Sequence, residues 1–143
     1  MNNLKSYKIA LLLILFSSCG TSGHIQFYDF IVPESEVKKE LISIINLNNK
    51  YTAPSHWNNY ELGKTSDDIF IYFNSNPKEL YVVGFREYKE LSDKNESILA
   101  LIGIFDGKLW HFARDLNGDE ENRAEERLEK EILSKMKHSY NKE

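Results

Sequence analysis

Apolar positions along this chain follow three spacings, and each predicts a different element. Val37, Leu41, Ile44 and Ile45 stand at i, i+4, i+7 and i+8, the stripe of a helix that buries one face. Pro33-Glu34-Ser35-Glu36 opens that helix: proline leaves no N–H unbonded in a first turn, and early carboxylates suit the positive end of the helix dipole. Asn48-Asn49-Lys50 closes it. Ala124, Leu128, Ile132 and Met136 recur every four residues with Leu133 beside them, predicting a second helix at the C-terminal end. In front of it, Asn117-Gly118-Asp119-Glu120 reads as a capping box, with Asn117 and Glu120 each satisfying free amides. Glu126/Lys130 and Glu131/Lys135 are then i,i+4 pairs in the favourable order, each contributing about 0.2–0.5 kcal/mol.

The second spacing is that of strands. Ile25, Phe27 and Ile31 line one side of the run 25–32. Ile69–Phe73 and Leu80–Tyr88 flank Asn74-Ser75-Asn76-Pro77, which is turn chemistry. The third spacing is no alternation at all. Ile98 to Phe105 is apolar without a break, so both its faces should be buried and its place in the sheet central. Asp106-Gly107 then suggests a type I′ turn, with 108–113 as the return strand. Residues 51–67 have no period, but hold Tyr51, His56, Trp57 and Tyr60. These four form a candidate partner-binding loop, because Trp and Tyr dominate binding hot spots. The preferred alternative folds them back to close the edge of the core.

The order β-α-β-β-β-β-α predicts an α+β fold: an antiparallel meander with one helix packed on it, then a C-terminal helix. That last helix would cover the sheet's other face, or leave the face to a partner. The element order resembles cystatin-like folds, where a curved sheet wraps a helix. Fold alone would not fix function.

Composition narrows the class. At 143 residues, 41% hydrophobic and 28% charged, the chain has room and material for one core. The single cysteine rules out an internal disulfide, and a lone thiol in an exported protein calls for another role.

Its position suggests one. Lys5 and Lys8 precede the uncharged run Ile9–Phe16. As a helix that run spans about 12 Å, against about 30 Å of bilayer hydrocarbon, so it has the length of a signal-peptide core and not of a membrane span. Phe16-Ser17-Ser18-Cys19 resembles the lipobox of bacterial lipoproteins, in the relaxed form of Bacteroidota-type signal peptides: Phe stands where Leu is usual, and Ser precedes the cysteine. The resemblance implies a diacylglyceryl thioether on Cys19 and cleavage between Ser18 and Cys19. It divides the chain into a signal peptide (1–18), a lipidated cysteine and tether (19–24) and one α+β domain (25–140). Lipoproteins of this type that reach the cell surface often carry acids directly behind the cysteine. Here none occurs before Asp29, which implies an outer-membrane anchor facing the periplasm. Two or three acyl chains would hold far more firmly than one, at about 0.8 kcal/mol per buried CH₂.

Cleavage also changes the charge. The whole chain carries −4, and losing Lys5 and Lys8 leaves sixteen basic residues against 22 acidic, a formal −6. Phosphate backbones repel such a domain, so nucleic acid is not an expected partner.

The candidate chemistry is sparse. G-x-S-x-G, P-loop and dinucleotide signatures are missing from the sequence. His24, His56, His111 and His138 are scattered, without metal-ligand spacing. Asp67 and Asp68, being adjacent, would point to opposite faces of a strand. Asp115, Asn117, Asp119 and Glu126 fall at positions 1, 3, 5 and 12 of an EF-hand-like loop, but Glu120 stands where the sharp turn needs Gly. A turn and helix cap explain that segment better. The expectation is a lipid-anchored, non-catalytic protein-binding module without cofactor or metal, such as an envelope accessory or immunity-type protein. The alternatives are a small periplasmic hydrolase and a calcium-stabilised structural module.

Overall fold

A computed structural model describes residues 23–57, 67–86 and 95–143. Ser18, Cys19 and Tyr60 lie outside them. The described elements are β1 (Gln26–Phe30), α1 (Glu34–Leu47), β2 (Ile69–Phe73), β3 (Glu79–Arg86), β4 (Ser97–Phe105), β5 (Trp110–Phe112), α2 (Gly118–Glu131) and β6 (Tyr140–Lys142). The fold is α+β, with antiparallel pairing throughout the sheet.

The sheet order is β2-β3-β4-β1-β6, with β5 also on β4. The meander β2 to β5 is present, and β4 is central, as its unbroken apolar run implies. One edge of β4 serves β3; the other is divided, with β1 taking Ser97–Leu101 and β5 taking Gly103–Phe105. A β-bulge makes the division possible. Val83 faces Leu101 and Val82 faces Gly103, which leaves Ile102 unpaired. The extra residue shifts the strand's phase: Leu99 and Leu101 join the main core, and then Ile104 joins it instead of residue 103.

The main core gathers Val37, Leu41 and Ile45 of α1 with Ala124 and Leu128 of α2, against Tyr28, Ile71, Tyr81 and Leu99 of the sheet. Both helices therefore share one face, so the second does not cover the sheet's other face. On β2, Ile69, Ile71 and Phe73 point to this core, while Phe70 and Tyr72 belong to a smaller cluster on the opposite face. There a 3₁₀ turn, Ser55–Trp57, supplies the cover. The Trp57 ring meets Tyr72 and Phe105 edge-on at 5.0 and 5.4 Å.

Three local expectations are corrected. The Asp106-Gly107 turn is not type I′, because only Gly107 has positive φ (+94°). The Asp106 carboxylate instead accepts the amides of Lys108 (2.7 Å) and Leu109 (2.8 Å), closing the hairpin through a side chain. α2 stops at Glu131 and passes into a 3₁₀ turn, Leu133–Lys135. Lys135 is therefore no longer one helical turn from Glu131, and that carboxylate faces Arg127 (3.5 Å) and Lys50 (3.4 Å) instead. Finally, the chain does not end in a helix. β6 runs to Lys142 and pairs with β1, past the boundary expected at residue 140.

Candidate binding groove along the C-terminal helix

The site begins with a buried carboxylate. Glu79 opens β3 with its side chain 5% exposed, and burying a charge requires partners. α2 supplies them. Arg123 donates Nη2 to Oε1 (2.7 Å) and Nη1 to Oε2 (2.8 Å), and Arg127 adds Nη1 to Oε2 (2.9 Å). The Tyr81 hydroxyl donates to the same oxygen at 3.1 Å. Burial and then the Glu79 charge hold that phenol well above its ordinary value, so it remains a donor. Arg127 also donates to the carbonyls of Pro77 (2.7 Å) and Ser75 (3.0 Å), and its guanidinium lies 4.7 Å over the Phe73 ring. The β2–β3 turn and α2 are thereby riveted together.

A groove of about 560 Å³ runs beside this rivet. Its wall is one stripe of α2, since Arg123, Glu126, Arg127, Lys130 and Glu131 stand at i, i+3, i+4, i+7 and i+8. Lys50 and Lys135 close one end of it, around Tyr51. Their ammonium nitrogens sit 4.6 and 5.0 Å from the Tyr51 ring centroid, and Lys135 donates to the Tyr51 hydroxyl at 2.6 Å. That hydroxyl donates to the last carbonyl of α2, at Glu131 (2.9 Å). Five cations here face Glu126, Glu131 and the buried Glu79, an excess of two positive charges on a chain of −4.

The candidate partner-binding loop is placed differently from what that role needs. Tyr51 is 1% exposed and Trp57 9%, each turned into a core cluster; His56 is exposed. Burial of Tyr51 and Trp57 gives more than their exposure could, so these two close the core and do not present a surface. Tyr51 still contributes, as the floor on which two lysines are set.

The histidines fasten structure. His111 Nε2 lies 2.9 Å from Asp106, the carboxylate that closes the hairpin. Burial alone would raise Asp106, but the Leu109 amide, the His111 ring and the Lys108 amide bring it below its ordinary value. His138 Nδ1 lies 2.8 Å from Glu40 of α1, which also accepts the Lys137 amide (2.5 Å). His24 accepts Arg86 Nε at 2.7 Å, and burial, then the Arg86 charge, lower it. Asp67 pairs with Lys38 at 3.1 Å.

Two of the four EF-hand-like side chains, Asp115 and Asn117, already accept backbone amides. Asn117 Oδ1 accepts the amides of Asp119 and Glu120, both at 3.1 Å, and Glu120 accepts the Asn117 amide at 3.0 Å, the expected capping box. Asp115 accepts the Phe112 amide at 3.0 Å, and Glu126 lines the groove. Among the described residues no three His, Cys, Asp or Glu side chains are grouped to hold a metal, and no helix is long and apolar enough to cross a membrane.

No protein-family model, curated protein or solved structure matches the chain. The groove itself is absent from the sequence reading, where α2's polar face passes for a solvated charged surface. Arg123, Arg127 and Lys130 stand at i, i+4 and i+7 beside the buried stripe, a spacing that a groove wall and a solvated face share.

Proposed function

We propose that this chain is a lipid-anchored, non-catalytic protein-binding module of the bacterial cell envelope, held at the outer membrane through Cys19 and facing the periplasm. The observation that carries the reading is the position of the sole cysteine. It directly follows a short apolar run and two serines, and lies seven residues ahead of β1. Seven residues reach at most about 25 Å fully extended, so an anchor there keeps the domain against the bilayer surface. Binding is favoured over catalysis because the described histidine and carboxylate pairs are engaged in closing turns and joining elements. Those partners hold rings and carboxylates where structure needs them.

The test is an intact-mass measurement on protein extracted from a Bacteroidota-type host. The expected product begins at Cys19 and carries the mass of acyl chains, and Cys19→Ser moves to the aqueous phase. An unmodified chain starting at Met1, or a Cys19→Ser variant that still partitions with membranes, overturns the anchor. Substrate turnover abolished by His111→Ala overturns the non-catalytic half.

A further inference from the structure

We propose that the groove between α2 and the β2–β3 turn binds an acidic, extended segment of a partner protein, with about three or four residues along the helix. This rests on the protein-binding reading above and names the partner's chemistry. Three observations carry it.

The first is charge imbalance at fixed positions. Arg123 and Arg127 are committed to Glu79, but within the groove's lining Lys50, Lys130 and Lys135 share Glu131 and Glu126, and Glu131 is itself divided between Arg127 and Lys50. Lys50 and Lys135 are drawn to one aromatic ring, which places like charges together, an arrangement that an incoming anion relieves. On an acidic chain such a patch steers anionic partners to one place.

The second is shape. Lys50 and Lys135 gather at Tyr51, but Arg123, Arg127 and Lys130 are strung along α2 and do not close on the same point. Along α2 they form a row from Arg123 to Lys130, about 10 Å at 1.5 Å per residue. An extended chain rises about 3.3 Å per residue, so that row matches about three or four residues, with acidic side chains able to meet successive cations. Glu126 interrupts the row, and such an interruption opposes a compact polyanion more than spaced carboxylates.

The third is preorganisation. The walls are tied by the Glu79 rivet, and Lys135 is fixed by its bond to the buried Tyr51 hydroxyl. Less side-chain freedom is then lost when a ligand arrives. A flat anionic bilayer fits poorly, because the groove is concave and the chain as a whole is negative.

The experiment uses the full lipoprotein in neutral detergent, with fluorescence anisotropy of a labelled peptide of about eight residues, half of them glutamate. The acidic peptide is expected to bind, and to weaken steeply as salt rises. Lys130→Glu and Lys135→Glu are each expected to weaken it about tenfold, a change of about 1.4 kcal/mol. Lys108→Glu, an equal charge change on the β4–β5 turn outside the groove's lining, is expected to leave it unaltered, as are the circular-dichroism melts of Lys130→Glu and Lys108→Glu. The assignment is overturned by equal binding of a lysine peptide, by equal loss in Lys108→Glu, or by no acidic-peptide binding. Displacement by stoichiometric pyrophosphate would make this a compact-anion site, and phosphatidylglycerol-vesicle binding lost in Lys130→Glu would make it a membrane contact; either overturns the segment. A partner crosslinked in the envelope but insensitive to Lys130→Glu would remove the groove while leaving the module reading standing.

Discussion

Glu79 and Arg123 meet end to end across 44 residues of chain, each carboxylate oxygen taking one guanidinium nitrogen. Arg127 completes the charge balance from the next turn of the helix. Such a cluster is stabilising only while all its members are present. Glu79→Ala leaves Arg127, 10% exposed, without its main counter-charge, and is expected to cost about 3 kcal/mol. Arg123, 40% exposed, should cost only about 1 kcal/mol when replaced by Ala. Urea unfolding of the two variants measures the ordering, and an Arg123→Ala loss equal to that of Glu79→Ala would refute it.

Acid should loosen the contact between α1 and the C-terminal segment. Burial by itself would raise Glu40, but the Lys137 amide and the His138 ring and amide hold it below its ordinary 4.5. A depressed carboxyl stabilises the fold fully above its unfolded value and loses that contribution as pH falls through the folded one. Glu40→Gln is therefore expected to cost about 1 kcal/mol at neutral pH, with the gap to the parent narrowing below about pH 4.5. A gap that stays constant from neutral to acid pH contradicts this.

The Trp57 cluster offers a separation of stability from binding. Trp57→Ala removes the cover over Tyr72 and Phe105 and should cost about 3 kcal/mol, the low end for a large aromatic because the ring sits at the core's edge. Near-ultraviolet circular dichroism should lose intensity. Acidic-peptide affinity should stay unchanged, because Trp57 lies on the sheet face opposite α2.

Asn117 gives a direct test of cap against calcium. Asn117→Ala removes the acceptor for two amides and should cost about 1 kcal/mol, whereas Asn117→Asp should be nearly neutral. Calcium is expected to leave the melting temperature of the parent unchanged, since the Asp115 and Asn117 oxygens already hold backbone amides. A calcium-dependent rise that disappears in Asn117→Ala would favour the calcium-stabilised module instead.

Much of the fold was legible because local and global preferences agree. The Val37–Ile45 and Ala124–Ile132 stripes, the Asn117 capping box and the central rank of β4 all follow from spacing along one segment. What stayed hidden depends on residues far apart. A three-residue β6 has no period to detect, and its pairing with β1 is visible only once the chain returns. The Asp106 turn was misjudged because a dipeptide signature does not say whether the Asp contributes its backbone or its carboxylate. The groove was missed because a charged helical face looks the same whether it meets water or a carboxylate on another strand. Only the depth of Glu79 distinguishes the two.

The pairing of β1 has a further consequence for how the domain assembles. Both of its neighbours, Ser97–Leu101 and Tyr140–Lys142, lie far downstream. A chain delivered from its N-terminus must carry this segment without a mate until β4 has arrived, and such distant closure is slow. Under the export proposed above, that delay would keep the leading part unfolded during the crossing.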